Sequence, residues 1–185
     1  MLEGIYKEVE AKMQSSVDVF KKDLNTIRTG RASLSLLDGI TVDYYGTPTP
    51  LNQLATLSVP ESRLITIQPW DQSVIGAVEK AILKSDLGLT PVNDGKLVRI
   101  AIPPLTEERR KDLVKIVKKY SEECKIAVRN VRRDGNESLK ELEKKKEITE
   151  DDLYKSQNKI QEVTDGYIKK IDEITEKKEK EILEI

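Results

Sequence analysis

A chain of 185 residues that is 35% charged, 37% hydrophobic and only 4% aromatic is rich in surface and lean in core, which favours a bundle or rod with a narrow apolar seam over a sphere. The net charge of −1 hides an uneven spread, with +5 over residues 105–133 and −5 over residues 134–185. One cysteine, Cys124, excludes an internal disulfide and a thiolate zinc cluster, and the absence of histidine removes the commonest general base and metal ligand, so neither cofactor nor metal is expected.

No apolar run approaches the length of a membrane span, and the start M-L-E-G-I-Y-K lacks a basic region followed by an apolar core. The chain therefore reads as cytoplasmic, with no membrane partner. Leu2, Ile5, Val9, Met13, Phe20, Leu24 and Ile27 recur at steps of three and four residues, which predicts an amphipathic helix of about seven turns, with Gly30 as its stop. From Leu34 to Ile102 the pattern turns strand-like. Ile40–Tyr44 and Leu64–Gln68 alternate, Leu97–Ile102 is a β-branched run entered from Asn93-Asp94-Gly95, and Gly46, Pro48 and Pro50 read as breaks. One helix is expected between, from about Ser73 to Ser85, and Trp70 before it reads as core or rim packing.

Pro103-Pro104 ends the strand region, and Thr106 with Glu107 and Glu108 opens a helix that runs to about Lys146. Its apolar set is Leu113, Val117, Tyr120, Cys124, Ala127 and Val131. Lys125, Arg129, Arg132 and Arg133 share a face placed roughly 150° from that set, at about 100° per residue. Four positive residues without an acid between Cys124 and Arg133 cannot be neutralised within their own segment. Such a face is either a solvated stripe or a surface for RNA. Arginine rather than lysine favours RNA, because the planar guanidinium pairs with phosphate bidentately and stacks on bases. Gly135 allows a bend in the same helix at a cost of about 1 kcal/mol relative to alanine.

A last helix starts at Thr149, with Asp152 as the acidic partner in a capping box and Ile148 stapled onto Leu153. Leu153, Ile160, Val163, Tyr167, Ile171 and Ile174 form its seam, and the charged tail after Thr175 is expected to fray. Three amphipathic helices cannot each bury a stripe alone. The expected fold is α+β: an elongated antiparallel three-helix bundle formed by residues 1–30 and 105–185, with a small, mostly β, α/β domain of residues 31–104 inserted through two crossings. Such a chain is an L or a rod with a side lobe, and it is expected to act as a monomer.

Several words in order resemble the ribosome recycling factor family of bacterial type, and they span essentially the whole chain. They are I-R-T-G-R-A-S at Ile27–Ser33, Y-Y-G-T-P-T-P-L at Tyr44–Leu51, V-E-K-A-I at Val78–Ile82, S-D-L-G-L at Ser85–Leu89, P-P-L-T-E-E-R-R-K-D-L at Pro103–Leu113 and V-R-N-V-R-R-D at Val128–Asp134. The resemblance implies an L-shaped molecule with a mobile lobe. It also implies binding to the large ribosomal subunit after termination and, with elongation factor G and its GTP hydrolysis, separation of the subunits. On that footing Arg132, Arg129 and Arg133, with Lys125, are expected to face ribosomal RNA, and Arg28, Arg31 and Arg110 are further candidates near the hinge. The hinge itself maps onto Thr29, Gly30 and Arg31 in one crossing and Pro103, Pro104 and Leu105 in the other.

Two other classes compete with this reading. A coiled-coil-like scaffold or chaperone that grips proteins would also be rich in charged helix. An enzyme is disfavoured by the missing histidine, phosphate-cradling glycine loop and metal cluster, and helix capping explains the acids Asp151 and Asp152.

Overall fold

The computed structural model describes Met1–Glu184; the final residue of the expected bundle, Ile185, lies outside these residues. Tertiary contacts divide the chain into two units, one formed by Met1–Thr29 with Glu107–Glu184 and one by Gly30–Thr106.

The first unit is a bundle of three helices, α1 (Leu2–Asn25), α3 (Glu107–Lys144) and α4 (Glu150–Leu183). Side-chain partners set their directions. Cys124 on α3 donates to the Ser16 carbonyl on α1, while Gly135 faces Val9, so α1 and α3 are antiparallel. Tyr6 donates to Ser156 at 2.7 Å and Lys170 to Gln14 at 3.1 Å, so α1 and α4 are parallel. At the start of α4 the capping box forms as its sequence predicts: Thr149 Oγ1 accepts from the Asp152 N–H at 3.1 Å and Asp152 Oδ2 accepts from the Thr149 N–H at 3.1 Å.

Three features of the bundle differ from expectation. Helix α1 ends at Asn25, not at Gly30; the left-handed φ of +76° at Gly30 serves the crossing instead, where an added Cβ would lie 3.0 Å from Leu105 Cγ. The tail after Thr175 does not fray, because α4 continues to Leu183 and buries Ile182 completely. The seams are also less apolar than a hydrophobic count suggests. Ser121, Ser156 and Thr164 are buried in them and satisfied by Thr175, Tyr6 and the Ile160 carbonyl respectively.

Gly135 is a point of close approach in the bundle. A Cβ there would meet Val9 Cγ2 at 2.8 Å and Ile160 Cδ1 at 3.2 Å, so the residue is small because α1 and α4 both press on it. Its helix-propensity cost of about 1 kcal/mol is accepted for that approach.

The second unit holds two sheets and one helix, α2 (Ile75–Lys84), which a short 3₁₀ turn precedes. Strands β1 (Thr41–Tyr44) and β2 (Thr47–Pro50) form an antiparallel hairpin. Tyr45 and Gly46 both take positive φ in its two-residue turn, and Asp43 Oδ1 accepts the Gly46 N–H at 2.8 Å. Pro48 and Pro50, expected as breaks, lie inside β2; they sit opposite Asp43 and Thr41 on an edge where no N–H is needed for pairing.

Strands β3 (Ala55–Glu61), β4 (Leu64–Pro69), β5 (Pro91–Asn93) and β6 (Val98–Ala101) make an antiparallel sheet in the order β3-β4-β6-β5. Its core joins Val42, Leu51, Ile65, Ile67, Val98 and Ile100 to Val78 and Ile82 of α2. Trp70 is no part of that core. It is 67% exposed and rests on the rim, its Nε1–H donating to Thr56 Oγ1 at 2.9 Å.

Candidate nucleic-acid interface

The buried line on α3 runs through Leu113, Val117, Ser121, Cys124, Val128, Gly135 and Leu139. Tyr120, Ala127 and Val131, expected on the seam, are only half-buried. The seam is therefore turned toward Val128, and Arg132 and Lys125 no longer stand opposite it, whereas Arg133 still does. Four residues on from Val128, Arg132 lies only about 40° around the helix, on the flank that meets α4. Arg129 and Arg133 fall at about 100° and 140° on the same side and are exposed.

Arg132 is half-buried, and its Nη1 donates to Gln161 Oε1 at 3.1 Å. Gln161 Nε2 in turn donates to Asp165 Oδ1 at 2.8 Å, one turn further along α4. Among the described residues no carboxylate forms an ion pair with Arg129, Arg132 or Arg133. Their charge is thus available to an outside anion.

Lys125 has a different fate, neutralised by acids from outside the Cys124–Arg133 segment. Its side chain is 15% exposed, and its Nζ lies 2.6 Å from Asp172 Oδ1 on α4 and 3.6 Å from Glu122 Oε1. The hydrogen bond that it donates to Asp172 raises its pKa above the ordinary 10.5, against the opposing effect of burial. The acid missing from its own segment arrives from the neighbouring helix, so Lys125 clamps α3 to α4.

The remaining candidates are spread over both units. Arg28 and Arg31 are exposed on either side of the boundary between the units. Arg110 is half-buried on the seam side of α3, and its Nε is enclosed without a protein acceptor, so it does not present its whole guanidinium outward. Gln161 and Asp165, which organise Arg132, were missed by the sequence reading. The signal available was an i,i+4 Gln–Asp pair on one face of α4, but only the α3–α4 register shows that it faces an arginine. Cys124 is buried, and burial pushes its thiol up to about 11, in keeping with its place on the seam.

A three-helix bundle with a basic flank, interrupted in sequence by a β-rich unit, defines an α+β protein. The chain belongs to the ribosome recycling factor family, whose sequence model matches residues 20–183. It is 62% identical to the ribosome-recycling factor of Desulfosudis oleivorans over 185 residues and 61% identical to that of Desulfatibacillum aliphaticivorans over 184 residues, with each chain covered in full.

Among solved structures it is similar to the solution structure of the ribosome recycling factor, with TM-score 0.76 and 43% identity, covering 100% of this chain and 98% of that one. It is also similar to a chain described as models for the T. thermophilus ribosome recycling factor and the E. coli elongation factor G bound to the E. coli post-termination complex. There the TM-score is 0.64 and the identity 48%, with 99% of each chain covered. No described helix is long and apolar enough to cross a membrane.

Proposed function

We propose that this chain recycles ribosomes in the cytoplasm after translation termination, binding the large ribosomal subunit and acting with elongation factor G to separate the subunits. Its family membership and its likeness to a recycling factor described with elongation factor G on a post-termination complex support this. The observation that carries the RNA contact is the flank of α3, where Arg132 is held at the edge of the α3–α4 groove beside exposed Arg129 and Arg133. Phosphate or a base edge is the complement of such a flank, because the guanidinium offers paired donors in a plane.

The test is affinity for isolated large subunits at several salt concentrations, beside thermal unfolding, for Arg132→Ala. Lys159→Ala serves as control, since that lysine is engaged over the Tyr6 ring at 4.0 Å. Loss of one charge-assisted contact weakens binding by about 10- to 100-fold. It also flattens the salt dependence by about one unit of slope or less. An Arg132→Ala chain that binds like the parent at every salt would return the flank to a solvated stripe.

The two crossings, Thr29-Gly30-Arg31 and Pro103-Pro104-Leu105, act as a hinge whose reorientation is needed for splitting but not for docking. Gly30→Ala tests this, because a side chain at φ +76° is strained and crowds Leu105. Docking at parental affinity with slowed splitting is expected, and unchanged splitting would remove Gly30 from the hinge. The chain itself is no enzyme: GTP binding and hydrolysis belong to elongation factor G, so the pure protein shows no GTP turnover, which a phosphate-release assay checks.

A further inference from the structure

We infer that Gln161, held by Asp165, is a positioning residue for the contact that Arg132 makes with RNA; the inference rests on the reading of the α3 flank given above. The argument is one of donors and acceptors. Arginine has five N–H donors and no acceptor, and an ionised carboxylate only accepts. Linking the two through one residue requires a side chain that accepts at one end and donates at the other. The Gln161 amide does this, taking Arg132 Nη1 at 3.1 Å on Oε1 and giving Nε2 to Asp165 at 2.8 Å. Only this orientation of the amide satisfies both neighbours.

The neutrality of the adaptor matters as much as its reach. A glutamate at 161 would hold the guanidinium by charge and compete with phosphate, as Asp172 does for Lys125. A lysine would repel it. Gln161 fixes the direction of the side chain with one hydrogen bond to a neutral acceptor and leaves the fork formed by Nε and Nη2 without a protein partner among the described residues. Holding a long side chain in its bound rotamer beforehand removes part of the ordering cost of binding. Asp165 completes the arrangement, because an unanchored glutamine would sample other rotamers and carry Arg132 with it.

The experiment is a double-mutant cycle on the full chain. Affinity for isolated large ribosomal subunits is measured for the parent, Gln161→Ala, Arg132→Ala and the double variant, beside thermal unfolding. Gln161 is exposed, so truncation leaves the unfolding temperature unchanged. In the parent background Gln161→Ala weakens binding by about 2- to 5-fold, the range expected for freeing one long side chain, with the salt slope intact because no charge is lost. In the Arg132→Ala background the same substitution changes affinity by less than about 1.5-fold.

A charge-matched pair isolates the second link. Asp165→Ala and Asp165→Asn remove the same charge, but asparagine still accepts from Gln161, so the alanine variant binds about twofold more weakly. Equal affinities of these two would remove Asp165 from the arrangement. If Gln161→Ala binds like the parent while Arg132→Ala is weak, or costs the same in both backgrounds, the positioning role is overturned. If Arg132→Ala itself binds like the parent, the reading of the flank fails, and this inference fails with it.

Discussion

Lys125 and Arg132 stand two turns apart on the same flank of α3, both half-buried against α4, yet one is neutralised and the other is not. On α3 itself Glu122 stands 3.6 Å from Lys125 Nζ, the longer of its two ion pairs. The larger difference lies in which α4 residue arrives opposite: a carboxylate, Asp172, at 2.6 Å for Lys125, and an amide, Gln161, for Arg132. Whether a basic residue of this run is ion-paired or left without a carboxylate is thus decided largely by the facing helix. Charge patterning along one element cannot reveal this, because the deciding residues lie roughly 30 to 50 positions away in sequence.

The largest disturbance of the comparison comes from Gly135→Ala. Its Cβ would press on Ile160, the neighbour of Gln161, and on Val9. Overpacking costs of about 1–3 kcal/mol outweigh the gain of about 1 kcal/mol from helix propensity. Chemical denaturation should show net destabilisation, with subunit affinity falling as α4 is pushed out of register. A more stable variant would mean that the crossing relaxes freely.

A sharper test makes the second site resemble the first. Gln161→Glu should ion-pair Arg132 and lower subunit affinity about 2- to 5-fold, with the loss shrinking at high salt as the pair is screened. The reverse change, Asp172→Asn, releases Lys125. It should lower stability by about half a kcal/mol, since Asp172 is more than half exposed, and raise affinity by less than about twofold. Denaturant midpoints and subunit titrations measure both.

The smallest effect is one of pH. Lys125 has a raised pKa in the folded chain, so its contribution is fully present below its ordinary 10.5 and is lost as pH rises through the higher folded value. The unfolding temperature of the parent should exceed that of Asp172→Asn at pH 9, and the gap should close only in the alkaline range above 10.5. A gap that closes near neutral pH would contradict the pairing.

Helices α1, α3 and α4 were legible because their stripes are long and their punctuation is local, as with Thr149 and Asp152. Strand β3 was not. Along A-T-L-S-V-P-E only Ala55 is buried and Leu57 half-buried, so the strand is held by its ladder to β4 and carries almost no alternation. Three-residue β5 is too short for a period to show. In the bundle, the exact turn of the α3 seam escaped because Ala127 and Val131 look as apolar as Val128. Val128 shares the buried stripe with Gly135, two turns on, where smallness rather than hydrophobicity is the signal. Arg132 was singled out for its chemistry but placed on the wrong side of its helix, and its partner Gln161 followed only from the register of two helices.

The burial of Cys124 has a practical chemical consequence. With its thiol pushed up to about 11, only about one molecule in ten thousand carries the nucleophilic thiolate at pH 7. Maleimide reagents should therefore leave the native protein almost untouched while reacting readily with a cysteine placed on an exposed site such as Lys155 or Lys84. A fluorophore pair, one dye on each unit, can then be attached without first removing the natural sulfur, and the distance between the dyes can be followed while subunits come apart.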